Sequence, residues 1–312
     1  MSRWRVLIGS RSFGREFPEH LELLRAAGCE VVPNTTGRAY RAAELPDALA
    51  GVDAIVTGTD ELTADVIEAA ESLRVIAKHG VGLDTVDLDA ARARGIVVVA
   101  TPDAVTDSVA DLTMGLLLCL ARQIVAGDRD VRAGGWTRTT GIELRGRLLG
   151  LVGLGRIGRS VAERARSFGL GVAASDPYAD PASSAVDLVE LDELLRRSDV
   201  VSMHAGLPAG APPLLGAREL ALMKPGALLV NTARGALVDE AALADALRAG
   251  PLAGAALDVF AAEPPAGSPL LSLPNVVLTP HSGGQTRDAL RRMGEETARN
   301  CIAALRGEGV PA

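Results

Sequence analysis

The chain has few cysteines, no excess of basic charge and no apolar run long enough to cross a bilayer. Cys29, Cys119 and Cys301 are far apart, odd in number and match no metal-ligand spacing, so we expect reduced thiols. The formal net charge of −7 does not favour binding to nucleic acid, which is itself negatively charged. The most apolar helical segment, residues 112–121, is too short for a membrane span, and residues 6–8 are too short for a signal-peptide core. We therefore expect a cytoplasmic protein without nucleic-acid or membrane partners.

Short apolar runs alternate with helix-like segments along the whole chain. This alternation is typical of an α/β protein with parallel sheets, and 312 residues with 48% apolar content are enough for about two domains. We predict two doubly wound parallel-sheet domains. The predicted strands of the first are residues 5–8, 31–32, 54–57, 75–77 and 97–100; six in the second are 148–152, 172–174, 200–204, 227–232, 255–259 and 276–279.

A glycine-rich turn follows the first strand of the second half. Gly153 permits a tight turn, Gly155 allows phosphate oxygens to approach the backbone, and Gly158 lets the next helix pack closely against the sheet. Taken alone, these glycines also fit an ordinary strand-to-helix turn. Asp176, 18 residues beyond Gly158, supplies the acidic group that binds the adenosine ribose hydroxyls and repels a 2′-phosphate. The segment predicts a dinucleotide site that prefers NAD over NADP.

The chain divides on this basis into two predicted domains. A helix-like segment at residues 103–124 follows a Thr-Pro break and connects them, whereas residues 286–305 are helical with no strand after them. We expect that last helix to pack against the first domain. The predicted domains are a flavodoxin-like substrate domain, residues 1–102 and 285–312, and a Rossmann NAD-binding domain, residues 103–284.

Three charged or titratable residues each follow a predicted strand of the NAD domain. Arg234, Glu263 and His281 occupy the ends of strands where open α/β sheets bind their ligands. A hydroxy-acid dehydrogenase needs a cation for the carboxylate, an acid/base for the hydroxyl proton and a partner that orients this acid/base. Separately each residue is readily explained as a surface or structural group. Together they predict a catalytic set.

These segments, with Lys78–Asp84 and the glycine turn, closely resemble those of the NAD-dependent D-isomer-specific 2-hydroxyacid dehydrogenases, which include phosphoglycerate dehydrogenases and hydroxypyruvate reductases. The resemblance implies that Arg234 binds the substrate carboxylate and carbonyl. It also implies that Glu263 pairs with His281 and that His281 exchanges a proton with the C2 oxygen. A carboxylate beside an imidazole favours the imidazolium and holds its tautomer. The substrate carboxylate is expected on the backbone N–H groups of Gly80, Val81 and Gly82.

The resemblance implies further cofactor contacts and a homodimer formed through the NAD domains. The expected cofactor residues are Gly153, Gly155, Arg156, Ile157 and Gly158 at the pyrophosphate, Asp176 and His204 at the ribose, and Thr232, Asp258 and Gly283 around the nicotinamide. One departure lies in the connecting helix, where the family often has Asn near Thr106 or Asp107 and Glu at the position of Asp111. Contacts from this helix to the nicotinamide are expected to differ accordingly.

The substrate is expected to be a 2-hydroxy or 2-keto acid. Lys78, His79 and Arg11 suggest a second anionic group on it, such as a phosphate, phosphonate or carboxylate; the alternative is that they are solvated rim residues. Two other functions stay open. One is oxidation of phosphite or another small anion, and the other is a non-catalytic NAD-sensing scaffold, which would bind NAD without turnover.

Overall fold

The structure is a computed structural model that describes residues 4–180, 185–208 and 210–309. Two compact units form, the first from Met1–Val105 with Gly284–Ala312 and the second from Thr106–Gly283. The first unit is therefore discontinuous in sequence. Its first segment ends at residue 105, against a predicted 102, and its second begins at residue 284, against a predicted 285.

The first unit contains a parallel sheet of five strands covered by helices on both faces. Strand order is β2-β1-β3-β4-β5, the flavodoxin-like arrangement, which confirms the predicted α/β class. The strands are β1 (Arg5–Ile8), β2 (Glu30–Pro33), β3 (Ala54–Thr57), β4 (Val75–Lys78) and β5 (Val97–Val99). The helices are α1 (Glu19–Ala26), α2 (Leu45–Ala48), α3 (Ala64–Ala69), α4 (Leu88–Ala93) and, from the end of the chain, α11 (Arg287–Arg306), with a 3-10 turn at Ala42–Glu44.

Helix α11 belongs to the core of the first unit. Ala298, Cys301 and Leu305 are almost completely buried and pack in one cluster with Val6 and Val56 of the sheet. Burying a leucine or valine side chain contributes about 1.5–3 kcal/mol, so this contact holds the final helix on a sheet made from the opposite end of the chain.

The second unit contains a parallel sheet of seven strands in the order β12-β11-β10-β9-β6-β7-β8. Strand order reverses beside β6, which is where a Rossmann sheet binds its dinucleotide. The strands are β6 (Leu148–Val152), β7 (Gly171–Ser175), β8 (Asp187–Leu188), β9 (Val200–Met203), β10 (Ala227–Asn231), β11 (Leu252–Leu257) and β12 (Val276–Leu278). The helices are α5 (Thr106–Ala121), α6 (Ile124–Arg132), α7 (Arg156–Ser167), α8 (Leu191–Arg197), α9 (Ala217–Ala221) and α10 (Glu240–Arg248), with 3-10 turns at Gly235–Leu237 and Pro269–Ser272.

Two predictions about this unit were incomplete. Sequence analysis identified six strands and missed β8, because a two-residue edge strand has too few positions to show a periodicity. The predicted helix over residues 103–124 corresponds to α5, which ends at Ala121; α6, which follows a left-handed Gln123 (φ 52°), was not predicted. Among the described residues, no single helix is long and apolar enough to span a membrane. Helices α5 and α6 have the required length and composition only when taken together, and they are bent by 63°.

Candidate active site

The glycine turn lies between β6 and α7 and packs against the segment after β9. Gly153 has φ 96°, and a Cβ there would lie 2.6 Å from the His204 carbonyl carbon. At Gly158 a Cβ would lie 2.4 Å from the Gly153 carbonyl oxygen, so the absence of a side chain here allows α7 to pack directly against the turn. A Cβ at Gly155 would meet nothing within 4 Å. Open space therefore lies over Gly155, where a pyrophosphate would approach the turn and the first N–H groups of α7.

Asp176 follows β7 directly and contacts the glycine turn. Its Oδ2 accepts a hydrogen bond from Leu154 N at 2.7 Å, and its Oδ1 accepts one from Tyr178 N at 2.9 Å. These bonds fix the carboxylate beside the turn, and each oxygen keeps a further lone pair for a ligand hydroxyl. The position fits an adenosine ribose at the reversal point of the sheet.

Two other predicted cofactor residues are His204, half-buried beside this turn, and Thr232, buried just after β10. His204 Nε2 lies 2.8 Å from Ser202 Oγ, and burial lowers the pKa of His204 to about 4, so its imidazole is neutral at neutral pH. Thr232 is 7% exposed, and its Oγ1 lies 2.8 Å from Thr113 Oγ1 of α5.

His281 and Glu263 form a hydrogen-bonded pair. His281 Nδ1 lies 2.7 Å from Glu263 Oε2, and Glu263 Oε1 accepts a second hydrogen bond from Phe260 N at 3.1 Å. The side chains are 53% and 38% exposed, respectively. With Nδ1 directed at the carboxylate, Nε2 of the imidazole is the nitrogen left to exchange a proton with a bound molecule.

Asp258 anchors the loop that carries His281. Its buried carboxylate accepts hydrogen bonds from Thr279 Oγ1 (2.6 Å), Ser282 N (2.8 Å), Ser282 Oγ (3.1 Å) and Gly283 N (2.8 Å), while its carbonyl oxygen accepts one from His281 N (2.8 Å). These bonds hold His281 at φ 49°, a conformation that non-glycine residues rarely adopt. Sequence analysis assigned Asp258 to the nicotinamide and missed this anchoring, although the polar run 279–284 indicates a loop that needs partners.

Arg234 lies in a tight turn at the end of β10. The buried Asn231 closes this turn: its Nδ2 donates to Arg234 O at 2.8 Å, and its Oδ1 accepts from Ala233 N at 3.1 Å. The next residue packs on another loop, since a Cβ at Gly235 would lie 1.9 Å from the Phe260 carbonyl carbon. The turn that carries Arg234 therefore touches the segment that carries Glu263. Sequence analysis missed Asn231, whose side chain mimics a backbone turn.

The three predicted catalytic residues follow three adjacent parallel strands, β10, β11 and β12. Carboxyl ends of parallel strands meet at one edge of the sheet, so Arg234, Glu263 and His281 lie at the same edge as the glycine turn after β6. The fold brings together segments that are separated by tens of residues in the sequence.

In the first unit, the predicted substrate residues follow β4. Among the residues that the structure describes, the N–H groups of Gly80, Val81 and Gly82 donate no hydrogen bond, and the Gly80 carbonyl accepts bonds from Thr101 N (3.0 Å) and Oγ1 (3.1 Å). Gly80 has φ 143°, which favours glycine. Thr101, which sequence analysis missed, thus holds the loop that carries these three N–H groups.

The preceding residues correct one expectation. His79 is 7% exposed, its Nδ1 lies 3.0 Å from Ser10 Oγ, and burial lowers its pKa to about 3, with further lowering from His20 and Lys78. It is therefore neutral and supplies no positive charge for an anionic group. Lys78 is also buried, and its Nζ donates to the Gly58 carbonyl, whereas Arg11 is exposed.

Asp107 and Asp111, at the positions of α5 that depart from the family pattern, form ion pairs with α7. Arg164 of α7 donates to Asp107 (3.0 Å) and Asp111 (2.6 Å) of α5. The two carboxylates hold the helix of the glycine turn against α5, and they raise the pKa of the Arg164 guanidinium.

Comparison with known proteins agrees with this geometry. Residues 114–283 match the model of the D-isomer specific 2-hydroxyacid dehydrogenase NAD binding domain. D-3-phosphoglycerate dehydrogenase of Methanocaldococcus jannaschii is 45% identical over 273 residues, which are 85% of this chain and 52% of that protein. The chain thus spans about half the length of the curated relatives it matches first.

Two solved structures cover nearly the whole chain. The TT0316 protein of Thermus thermophilus is 42% identical with a TM-score of 0.89, covering 98% of each chain. An NADPH-dependent glyoxylate/hydroxypyruvate reductase of Sinorhizobium meliloti, in complex with NADP and malonate, is 35% identical with a TM-score of 0.86, covering 97% of this chain and 93% of that one. The chain therefore belongs to the D-isomer specific 2-hydroxyacid dehydrogenase family.

Proposed function

We propose that this chain is an NAD-dependent oxidoreductase that interconverts a D-2-hydroxy acid and the corresponding 2-keto acid. The observation that carries the proposal is the contact between His281 Nδ1 and Glu263 Oε2 at 2.7 Å, beside the turn of Arg234 and on the ligand-binding edge of a Rossmann sheet. An acid/base pair and a carboxylate-binding cation at this edge meet the chemical needs of the reaction.

The roles of the residues follow from their chemistry. When bound, the nicotinamide cofactor donates a hydride to C2 of the keto acid or accepts one from the hydroxy acid. His281 Nε2 gives its proton to the C2 oxygen during reduction and removes it during oxidation, and Glu263 stabilises the imidazolium. Arg234 binds the substrate carboxylate, a task suited to a guanidinium.

Turnover by purified protein tests the proposal. NADH oxidation is measured with glyoxylate, pyruvate and hydroxypyruvate, and NADH binding is measured separately by its fluorescence. We expect His281→Ala and Glu263→Gln to lower kcat by about 10²-fold or more while NADH still binds. Glu163→Gln, on the exposed face of α7, is the matched control and should behave as the wild type.

Two results would reject the proposal. NADH binding without turnover of any keto acid would favour the scaffold, and NAD reduction by phosphite alone would favour a small-anion dehydrogenase.

We propose NAD rather than NADP as the cofactor, because the Asp176 carboxylate stands where a 2′-phosphate would bring further negative charge. One similar solved structure is of an NADPH-dependent enzyme, so Asp176 is the residue to test. We expect kcat/KM to be at least about tenfold higher with NADH, and Asp176→Ala to remove most of this preference. Asp187→Ala, an exposed acid at the start of β8, is the control. Equal use of both cofactors by the wild type would contradict the assignment.

We also propose a substrate with a second anionic group, supported now by Lys78 and Arg11 and no longer by His79. A panel compares glyoxylate, which has no tail, with keto acids that carry a phosphate or a second carboxylate. Arg11→Ala should raise KM about tenfold for the anionic-tail acids and leave glyoxylate unchanged, since one charge-assisted contact is removed. Arg15→Ala, also exposed on this loop, is the control. A wild-type preference for glyoxylate would reject the tail.

A homodimer through the NAD-binding unit is the proposed assembly. Ile124, Val131 and Trp136 on and after α6 are 51%, 55% and 80% exposed, and a cavity of about 420 Å³ opens beside α6, lined by α5, α6 and β12. The exposed apolar side chains and the adjoining cavity together support an interaction surface at α6. Sedimentation should give a dimer for the wild type and for Leu88→Glu on the first unit, and a monomer for Val131→Glu. A monomeric wild type would refute the assembly.

A further inference from the structure

A carboxylate outside the proposed catalytic set holds the segment that carries Glu263. Glu240 is the first residue of α10. Its Oε1 accepts a hydrogen bond from Ala261 N at 2.9 Å, and its Oε2 accepts one from Ser268 Oγ at 2.5 Å. One donor precedes Glu263 by two residues and the other follows it by five, so a single carboxylate bonds the chain on both sides of Glu263.

The bridged segment has little else to hold it. Residues 261–268 form no helix or strand, and 261–264 are exposed. Backbone bonds inside the segment are short-range, from Ala266 N to Pro264 O (2.8 Å) and from Ser268 N to Pro265 O (3.1 Å). These bonds shape the turn but do not attach it to the rest of the unit. Among the described residues, the segment is attached by Glu240, by the bonds of Glu263 to His281 and Phe260 N, and by the packing of Gly235 on the preceding Phe260.

The position of Glu240 suits an acceptor of two hydrogen bonds. A carboxylate in the first turn of a helix is stabilised by the helix dipole, and it is a pure acceptor facing two donors. Asp239 caps the same helix by accepting from Ala241 N and Ala242 N, so Glu240 is not needed for capping and both its oxygens serve the neighbouring segment.

We propose that Glu240 is a positioning residue for the Glu263–His281 pair. It contacts neither the substrate nor the cofactor; it fixes the backbone around Glu263 so that Oε2 stays within hydrogen-bond distance of His281 Nδ1. This role rests on the proposed function, because loss of Glu240 can change the kinetics only if the Glu263–His281 pair is catalytic. Misplacing a catalytic group by about 1 Å can cost up to 10²-fold in rate.

The kinetics of two Glu240 variants and one control variant test the role. Glu240→Ala should lower kcat by about ten- to a hundredfold with the KM for NADH unchanged, because both tethers are lost. Glu240→Gln should stay within about threefold of the wild type, since its amide oxygen accepts from Ala261 N and its amide nitrogen donates to the Ser268 hydroxyl. Glu193→Ala is the control, because Glu193 is also an acidic residue in the first turn of a helix, α8, and its partner Arg197 lies on the surface.

The double variant Glu240→Ala/Glu263→Gln separates positioning from general stability. If Glu240 acts through Glu263, this variant is no slower than Glu263→Gln alone. Multiplicative losses in the double variant, or wild-type kinetics for Glu240→Ala, would overturn the proposal.

Hydrogen exchange of peptides that cover residues 258–268 gives a readout independent of turnover. Exchange should increase in Glu240→Ala and stay unchanged in Glu193→Ala. Unaltered exchange would refute the tether even if the enzyme is active. Increased exchange in a protein that turns over no acid would leave the tether standing and reject the proposed function instead.

Discussion

The charge state of His79 can be tested through the pH dependence of stability. His79 is 7% exposed, packs edge-on to Phe13 with ring centroids 5.4 Å apart, and has its pKa lowered by burial to about 3. An unfolded histidine has a pKa near 6.5. Between these two values the unfolded chain binds the extra proton and the folded chain does not. The free energy of unfolding therefore falls as the pH drops through 6.5, and the loss continues toward pH 3.

The size of the effect follows from the two pKa values. One pKa unit corresponds to about 1.4 kcal/mol, so lowering the pH from 7 to 5 should remove about 2 kcal/mol of stability through this single group. His79→Gln carries no titratable group, and its amide can still bond the Ser10 hydroxyl. We expect the variant to lose about 2 kcal/mol less than the wild type over the same pH range.

Tryptophan fluorescence in urea is the assay, because the two tryptophans differ in environment. Trp4 packs against the core of the first unit, where His79 lies, whereas Trp136 is 80% exposed in the single chain and belongs to the proposed dimer surface, so the two proteins are compared at the same concentration. His20 is also buried with a lowered pKa, but it is present in both proteins and cancels in the difference. Equal acid sensitivity of the two proteins would refute the reasoning, and it would restore His79 as a cation for the substrate tail.

Two further predictions concern packing in the two units. Gly235→Ala should lower kcat/KM by more than about tenfold with little change in NADH affinity, because a Cβ 1.9 Å from the Phe260 carbonyl carbon displaces the turn of Arg234; wild-type kinetics would contradict the contact. A thiol reagent should label Cys119 first in the native protein and all three cysteines in urea, since burial raises the pKa of Cys29 and raises that of Cys301 to about 12; rapid native labelling of three thiols would contradict this burial.

Most of the fold could be predicted because buried parallel strands are short continuous apolar runs. The observed bounds of β1 and β3 equal the predicted ones, residues 5–8 and 54–57. Prediction failed where no apolar periodicity exists. The two-residue strand β8 is defined by its pairing with β7, and the break at Gln123 is accompanied by a backbone bond from Ile142 N to Ala121 O, 21 residues away in sequence.

The candidate site divides in the same way. Arg234, Glu263 and His281 could be proposed as a catalytic set from the sequence because each has a distinctive side chain just after a predicted strand. Their supports could not be, because Asn231, Asp258 and Glu240 are ordinary polar residues whose partners are set by the packing of separate segments.

The sequence alone determined the α/β class, the glycine turn with its acidic partner and the chemical types of the proposed catalytic set, since these depend on residues close together in the chain. Only the tertiary structure decided that His79 is neutral, that Asp258 anchors the His281 loop and that Glu240 bridges the Glu263 segment. Burial and hydrogen-bond partners determine these properties, and both come from residues that are distant in sequence and become neighbours only when the chain folds.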